Sequence, residues 1–236
     1  MNCKNCNTAV NLNYCPNCGQ PVKLKRIDGH YIIHEIEHVL HVESGMLYTI
    51  RELLIRPGRN VRRFVAENRS RLVKPVIFII LTSLVYTLVS HFFHIEDAYV
   101  KFAEEGSSAT GLIFKWVQEH YGYANIIMGV FIALWLKLVF KQYDYNFFEI
   151  LILLCFVMGI GMLIYAVFAL MQGITHYNIM AAAGMVGFGY CTWAIGQFFN
   201  PYQISSYVKA LFAYVLGLLS FMLALVLIGT LFDLLV

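Results

Sequence analysis

The chain has 236 residues, of which 59% are hydrophobic and 13% charged, with a formal net charge of +3. Soluble domains run at about 45–50% apolar and about 25% charged. The composition therefore excludes an ordinary soluble globule and points to a membrane protein. So small a net charge matters less than the way it is distributed.

Residues 1–20, MNCKNCNTAVNLNYCPNCGQ, have no apolar stretch and no small-residue cleavage site, which argues against a secretory signal. Four of the six cysteines fall in the first eighteen residues, a metal pattern rather than a disulfide framework. The spacing Cys3-x2-Cys6-x8-Cys15-x2-Cys18 presents four thiolates that can close a tetrahedron around Zn²⁺. Pro16 and Gly19 suit tight turns at the second knuckle. So short a segment cannot build an apolar core, and the metal would supply most of its folding energy. With all four positions filled by protein, the zinc is structural. A rubredoxin-like iron site or a redox pair is the rival. Cys155 and Cys191 lie in apolar segments and read as small packing residues.

Residues 34–38, His-Glu-Ile-Glu-His, match the H-E-x-x-H pattern of zinc metalloproteases. At ~100° per residue, His30, His34, His38 and His41 share one helix face, opposite Ile32, Ile36, Val39 and Leu40. Two histidines four apart can grip a metal, with the intervening Glu as general base. A third ligand from elsewhere is needed. His91, His94 and His176 are expected across the bilayer, which leaves Asp144 or Glu149. A catalytic centre at His34, Glu35 and His38, a metal- or proton-sensing face, and a plain polar face all stay open.

The next stretch, SGMLYTIRELLIRPGRNVRRFVAENRSRLVKP, carries two amphipathic segments. Met46, Ile50, Leu53 and Leu54 form the first apolar stripe, which Pro57-Gly58 ends. Asn60 is expected to cap the second, whose stripe is Val61, Phe64 and Val65. Arg59, Arg62, Arg63, Arg69 and Arg71 surround it and are expected to contact anionic lipid headgroups, at on the order of 1 kcal/mol each. Nucleic acid is not expected as a partner, because this stretch is tied directly to the first span.

Five segments have the roughly 20 apolar residues that a span needs: about 75–93, 123–140, 147–171, 179–199 and 208–231. A short helix is expected near Leu112–Glu119. Eight Lys and Arg residues lie between Arg51 and Lys74, and Lys137, Lys141 and Lys209 recur at the same predicted side. The positive-inside rule then gives a cytoplasmic N-terminus and an extracytoplasmic C-terminus. In the fourth span, Ala183, Gly187 and Cys191 are four apart, a row that permits close packing in the bundle or in a homo-oligomer through Ala183 and Gly187. A lipid or substrate groove is the alternative.

The CxxC…CPNCGQ head, the histidine helix, the Arg56-Pro57-Gly58 turn with its basic stretch, YNFFEILILL and NPYQISSYVKAL together resemble a family of uncharacterised bacterial membrane proteins. That family is common in Bacteroidetes and joins a zinc ribbon to a multi-span domain of unknown function. Where it often shows Gly-Lys-Arg, this chain has Glu67-Asn68-Arg69. In topology alone the chain is also similar to Yip-type five-span proteins.

The sequence thus predicts an all-α, polytopic helical bundle. Residues 1–20 form a zinc ribbon, 21–74 interfacial helices, and 75–236 a five-helix membrane domain. The expected role is an inner-membrane scaffold or adaptor whose head meets a cytoplasmic protein. A membrane metalloenzyme and a small-molecule transporter or channel are the rivals.

Overall fold

The computed structural model describes residues 2, 8, 9, 11, 13–17, 45–66, 71–93, 95 and 109–235. The chain divides into two units, Met1–Glu43 and Ser44–Val236. In the first, Asn2 and Ala9 form an antiparallel bridge, and Cys15 is buried ahead of a turn at Pro16 and Asn17. Cys3, Cys6, Cys18, His30, His34, His38, His41 and Arg69 lie outside the described residues.

In the second unit the described residues are helical, without strands. The elements are α1 (Gly45–Ile55), α2 (Pro57–Ala66), α3 (Pro75–Phe92), α4 (Ala109–Glu119), α5 (Tyr121–Val139), α6 (Phe147–Thr175), α7 (Met180–Phe199) and α8 (Ile204–Leu235). Helices are what a chain this apolar must form, since each backbone N–H then finds its partner within its own segment. Four of them, α3, α5, α6 and α8, are long and apolar enough to cross a membrane. The expectation of five such segments is met in four. α7 forms over the predicted residues, but its Gly, Ala, Tyr, Thr and Gln content dilutes its hydropathy below that of the others.

Helix α6 is the centre. Every residue from Leu153 to Gly161 is buried, so it presents no polar face. It packs against α1, α2, α3, α5 and α7, while α8 lies beside α4, α5 and α7. Its start is set by a reciprocal capping box. The Glu149 backbone N–H donates to the Asn146 side chain at 2.9 Å, and the Asn146 backbone N–H donates to Glu149 Oε2 at 2.8 Å. Its end is set by His176 in the left-handed region, φ 60°, and the chain turns back into α7 within a few residues.

Helix α7 runs back along part of α6. Near its start, Met180 and Ala183 pack with Tyr86 of α3 and with Ala166 and Ala169 of α6. At its finish, Phe199 stacks on Phe140 with ring centroids 3.8 Å apart, and Phe198 lies 4.6 Å from Tyr145. The α5 C-terminus, the α6 N-terminus and the α7 C-terminus therefore meet at one end. Lys74, Lys137, Lys141 and Lys209 belong to the segment ends gathered there. At the other end, Asp233 of α8 caps α4: its carboxylate accepts from the Ala109 N–H at 2.6 Å and the Thr110 hydroxyl at 3.2 Å.

One local expectation is corrected. Asn60 does not cap the second amphipathic helix, because α2 begins at Pro57, where a missing N–H costs nothing. Asn60 is inside α2 and buried, and its amide closes the preceding helix by donating to the Glu52 carbonyl at 2.8 Å.

The α5–α8 contact depends on Gly217. A Cβ there would sit 2.6 Å from both Cα and Cγ1 of Ile132. Gly217→Ala should push the two helices apart and cost about 1–3 kcal/mol, read as a lowered melting temperature in detergent. Gly189→Ala, where a Cβ meets nothing within 4 Å, should leave melting unchanged or raise it.

Candidate functional site

Two features of the helical unit bring chemistry-bearing residues together. The first is the seat of the basic stretch. Helix α2 crosses the C-terminus of α7, whose last carbonyls have no partner within their own helix. Arg62 supplies one: its guanidinium donates to the carbonyls of Gln197 and Phe198, both at 2.7 Å. The cation also suits the negative end of the helix dipole. The Gly58 N–H donates to Gln197 Oε1 at 2.8 Å. No side chain fits at Gly58, since a Cβ would sit 2.7 Å from the Gln197 carbonyl oxygen and closer still to the backbone beside it. Val61 and Phe64 of α2 are buried, with the Phe64 ring edge-on to Phe156 of α6 at 5.2 Å.

Helix α1 and the strap after α2 complete the seat. The Tyr190 hydroxyl of α7 donates to the Leu53 carbonyl at 3.0 Å, and the Val73 N–H donates to the buried Thr49 hydroxyl at 3.1 Å. Arg71 lies over the Tyr48 ring, donates to its hydroxyl at 2.5 Å, and is 3.7 Å from Glu52. Burial raises the Tyr145 hydroxyl above its ordinary pKa, while the charge of Arg62 draws it down. Of the predicted arginines, then, Arg62 and Arg71 are engaged within the chain. Arg59 is exposed, and Arg63 is half-buried with partners of its own. On α1, Leu47, Leu54 and Ile55 are exposed beside exposed Arg51, an apolar and cationic outer face.

The second feature is a cavity of about 650 Å³ bounded by α3 to α8. Five of the chain's nine methionines line it: Met128, Met158, Met162, Met180 and Met222. Tyr86, Tyr165 and Tyr214 are also in its walls, together with Asn125 and Cys191. The space exists because Gly161, Gly184 and Gly187 contribute no side chain to it. Tyr165 leans across the α7 glycines, and a Cβ on Gly187 would meet its ring at 3.3 Å. Ala183 and Gly187 are buried inside this same chain.

Asn125 is 5% exposed. Its amide nitrogen donates to the Ser83 hydroxyl at 3.4 Å, and among the described residues nothing donates to its carboxamide oxygen. The described residues bring no three His, Cys, Asp or Glu side chains together.

A family described as a protein of unknown function (DUF3667) matches residues 43–87. That stretch is α1, α2, the strap and most of α3, so it contains the whole seated connector and Tyr86 of the cavity wall. No curated protein and no solved structure matches the chain.

Sequence reasoning offered a lipid or substrate groove at Gly187 and Cys191 only as the alternative to close packing, and did not foresee a cavity bounded by six helices. Its signals were the glycines of α7 and a lone Asn inside an apolar span, YANIIMG. It also took Arg62 for a lipid ligand, because periodicity gives the face a residue occupies and not the helix end that face meets.

Arg62→Ala should lower stability by about 1.5–3 kcal/mol, the range for hydrogen bonds to a charged group. Arg62→Lys should recover part of that loss, because one ammonium cannot span two carbonyls as a guanidinium does. Thermal melts of both variants in the same detergent test this. Equal melting of Arg62→Ala and the parent would remove the clamp.

Proposed function

We propose that the protein is a five-crossing inner-membrane scaffold or adaptor that holds a structural zinc ribbon at the cytoplasmic face. The observation that carries this reading is the seat of the basic connector. The segment that follows the cysteine- and histidine-bearing residues is not a loose tether. It is fastened to the bundle by Gly58, Arg62, Tyr190 and the buried Thr49. A chain whose only task was to leave the membrane would not need backbone-level contact there.

Support for a fifth crossing comes from α7. Its 20 residues are about 30 Å long at 1.5 Å each, close to the hydrocarbon thickness. Support for the orientation comes from the lysines and arginines gathered at the α2 end. Exposed Leu47, Leu54 and Ile55 would enter the inner leaflet, with Arg51 and Arg59 at its anionic headgroups. In the ribbon, Cys3, Cys6, Cys15 and Cys18 would hold one Zn²⁺. A cytoplasmic protein is the partner this arrangement serves.

Metal content and topology test the reading. The purified chain should hold one equivalent of zinc, and replacing the four cysteines with serine should abolish it. A second equivalent that is lost on His34→Ala and His38→Ala would favour the metalloenzyme instead. Alkaline phosphatase fused after Val236 should be active in cells, and the same enzyme fused ahead of Met1 should be inactive. The reverse pattern would overturn the orientation. Crosslinking in native membranes should lose partners when residues 1–20 are deleted, and identical partner lists would overturn the adaptor role.

A further inference from the structure

We infer that the cavity between α3 and α8 binds an uncharged, single-chain lipid that ends in a hydroxyl group. Folded interiors are packed to the density of organic crystals and leave few voids larger than a water molecule. A space of about 650 Å³ is within the roughly 300–1,000 Å³ range of pockets that hold organic ligands. Water is a poor occupant, because each buried molecule wants about three polar partners and these walls are mostly thioether, aromatic ring and aliphatic carbon.

The lining selects the ligand's chemistry. Among the described residues no Asp, Glu, Lys, Arg or His faces the cavity, so a charged headgroup would be stripped of water with none of them to replace it. The five methionines give a wall that adapts to an irregular hydrocarbon. Asn125 gives one fixed polar point. One end of its amide is held by Ser83, and the other lacks a partner among the described residues, at 5% exposure. A ligand hydroxyl, which both donates and accepts, satisfies that end. The lining residues Met158 to Tyr165 sit mid-way along α6. The ligand therefore lies at the depth of bilayer chains and is drawn from them.

The test is photolabelling of the full chain in phosphatidylcholine nanodiscs with a long-chain alcohol carrying a mid-chain diazirine. The expected result is adducts on Met158–Tyr165 or Gly184–Cys191 that excess unlabelled alcohol competes away. The matching hydrocarbon without the hydroxyl should label about tenfold less, the worth of one hydrogen bond, and Asn125→Leu should erase that difference. Gly184→Leu, where a Cβ has only ordinary contact with the Tyr165 hydroxyl at 3.7 Å, should fill the space and cut labelling, and Met158→Trp should do the same from α6. Labelling that does not saturate in the parent chain, or that falls only on outward residues such as Leu134 and Leu219, would overturn the proposal. So would equal labelling by alcohol and hydrocarbon, or undiminished labelling in a filled variant that melts like the parent.

Discussion

Helix α6 has no polar face, and the rest of the unit is arranged around that fact. The stretch Leu153–Gly161, buried on all sides, needs neighbours on all sides, and α3, α5 and α7 supply three of them. Those helices, of 18, 19 and 20 residues, flank the 29-residue α6 over much of its length. The remaining surface, near its N-terminal end, is closed by the shorter α1 and α2, with Leu53 and Phe64 in the same buried cluster as Phe156. The connector is thus part of the core. Its seat answers the need of α6 for cover as much as the need of α7 for a cap.

Helix α7 makes a different bargain. Its glycines and alanines weaken its own apolar character and let it approach α6 and α8 closely. Close approach leaves its C-terminal carbonyls near other protein and away from water. They must then be satisfied from outside the helix, and Arg62 reaches two of them. The guanidinium suits this task because its planar fork spans adjacent acceptors. The same glycines that permit close contact at one level leave Tyr165 and the methionines to bound an open volume at another.

Much of this was legible in the residues. Helix positions followed from runs of apolar side chains, and the observed boundaries of the five long helices lie within about four residues of the expected ones, as is usual for helix ends. The two amphipathic segments and the break at Pro57-Gly58 were equally plain. What could not be read was which group ends against which. Arg62 shares its face with residues that look like lipid ligands, and only the tertiary position of α7 decides its partner. Asn60 carries the signature of an N-cap and acts instead on the helix before it, because Pro57 had already started α2. The cavity leaves almost no trace in one dimension, since it is an absence produced jointly by six helices.

Cavity and connector meet on one helix. Gly187 and Cys191 of α7 are in the cavity wall, and Gln197 and Phe198 receive α2. Gly187 and Gln197 are ten residues apart, about 15 Å along an unbroken helix. The same helix thus contributes to the cavity wall and presents the carbonyls that Arg62 holds. The stretch matched by the family of unknown function spans both contacts, from the seat at Gly58 to Tyr86 in the cavity wall. Its residues are joined by chain continuity through α3, as the two sites are joined through α7.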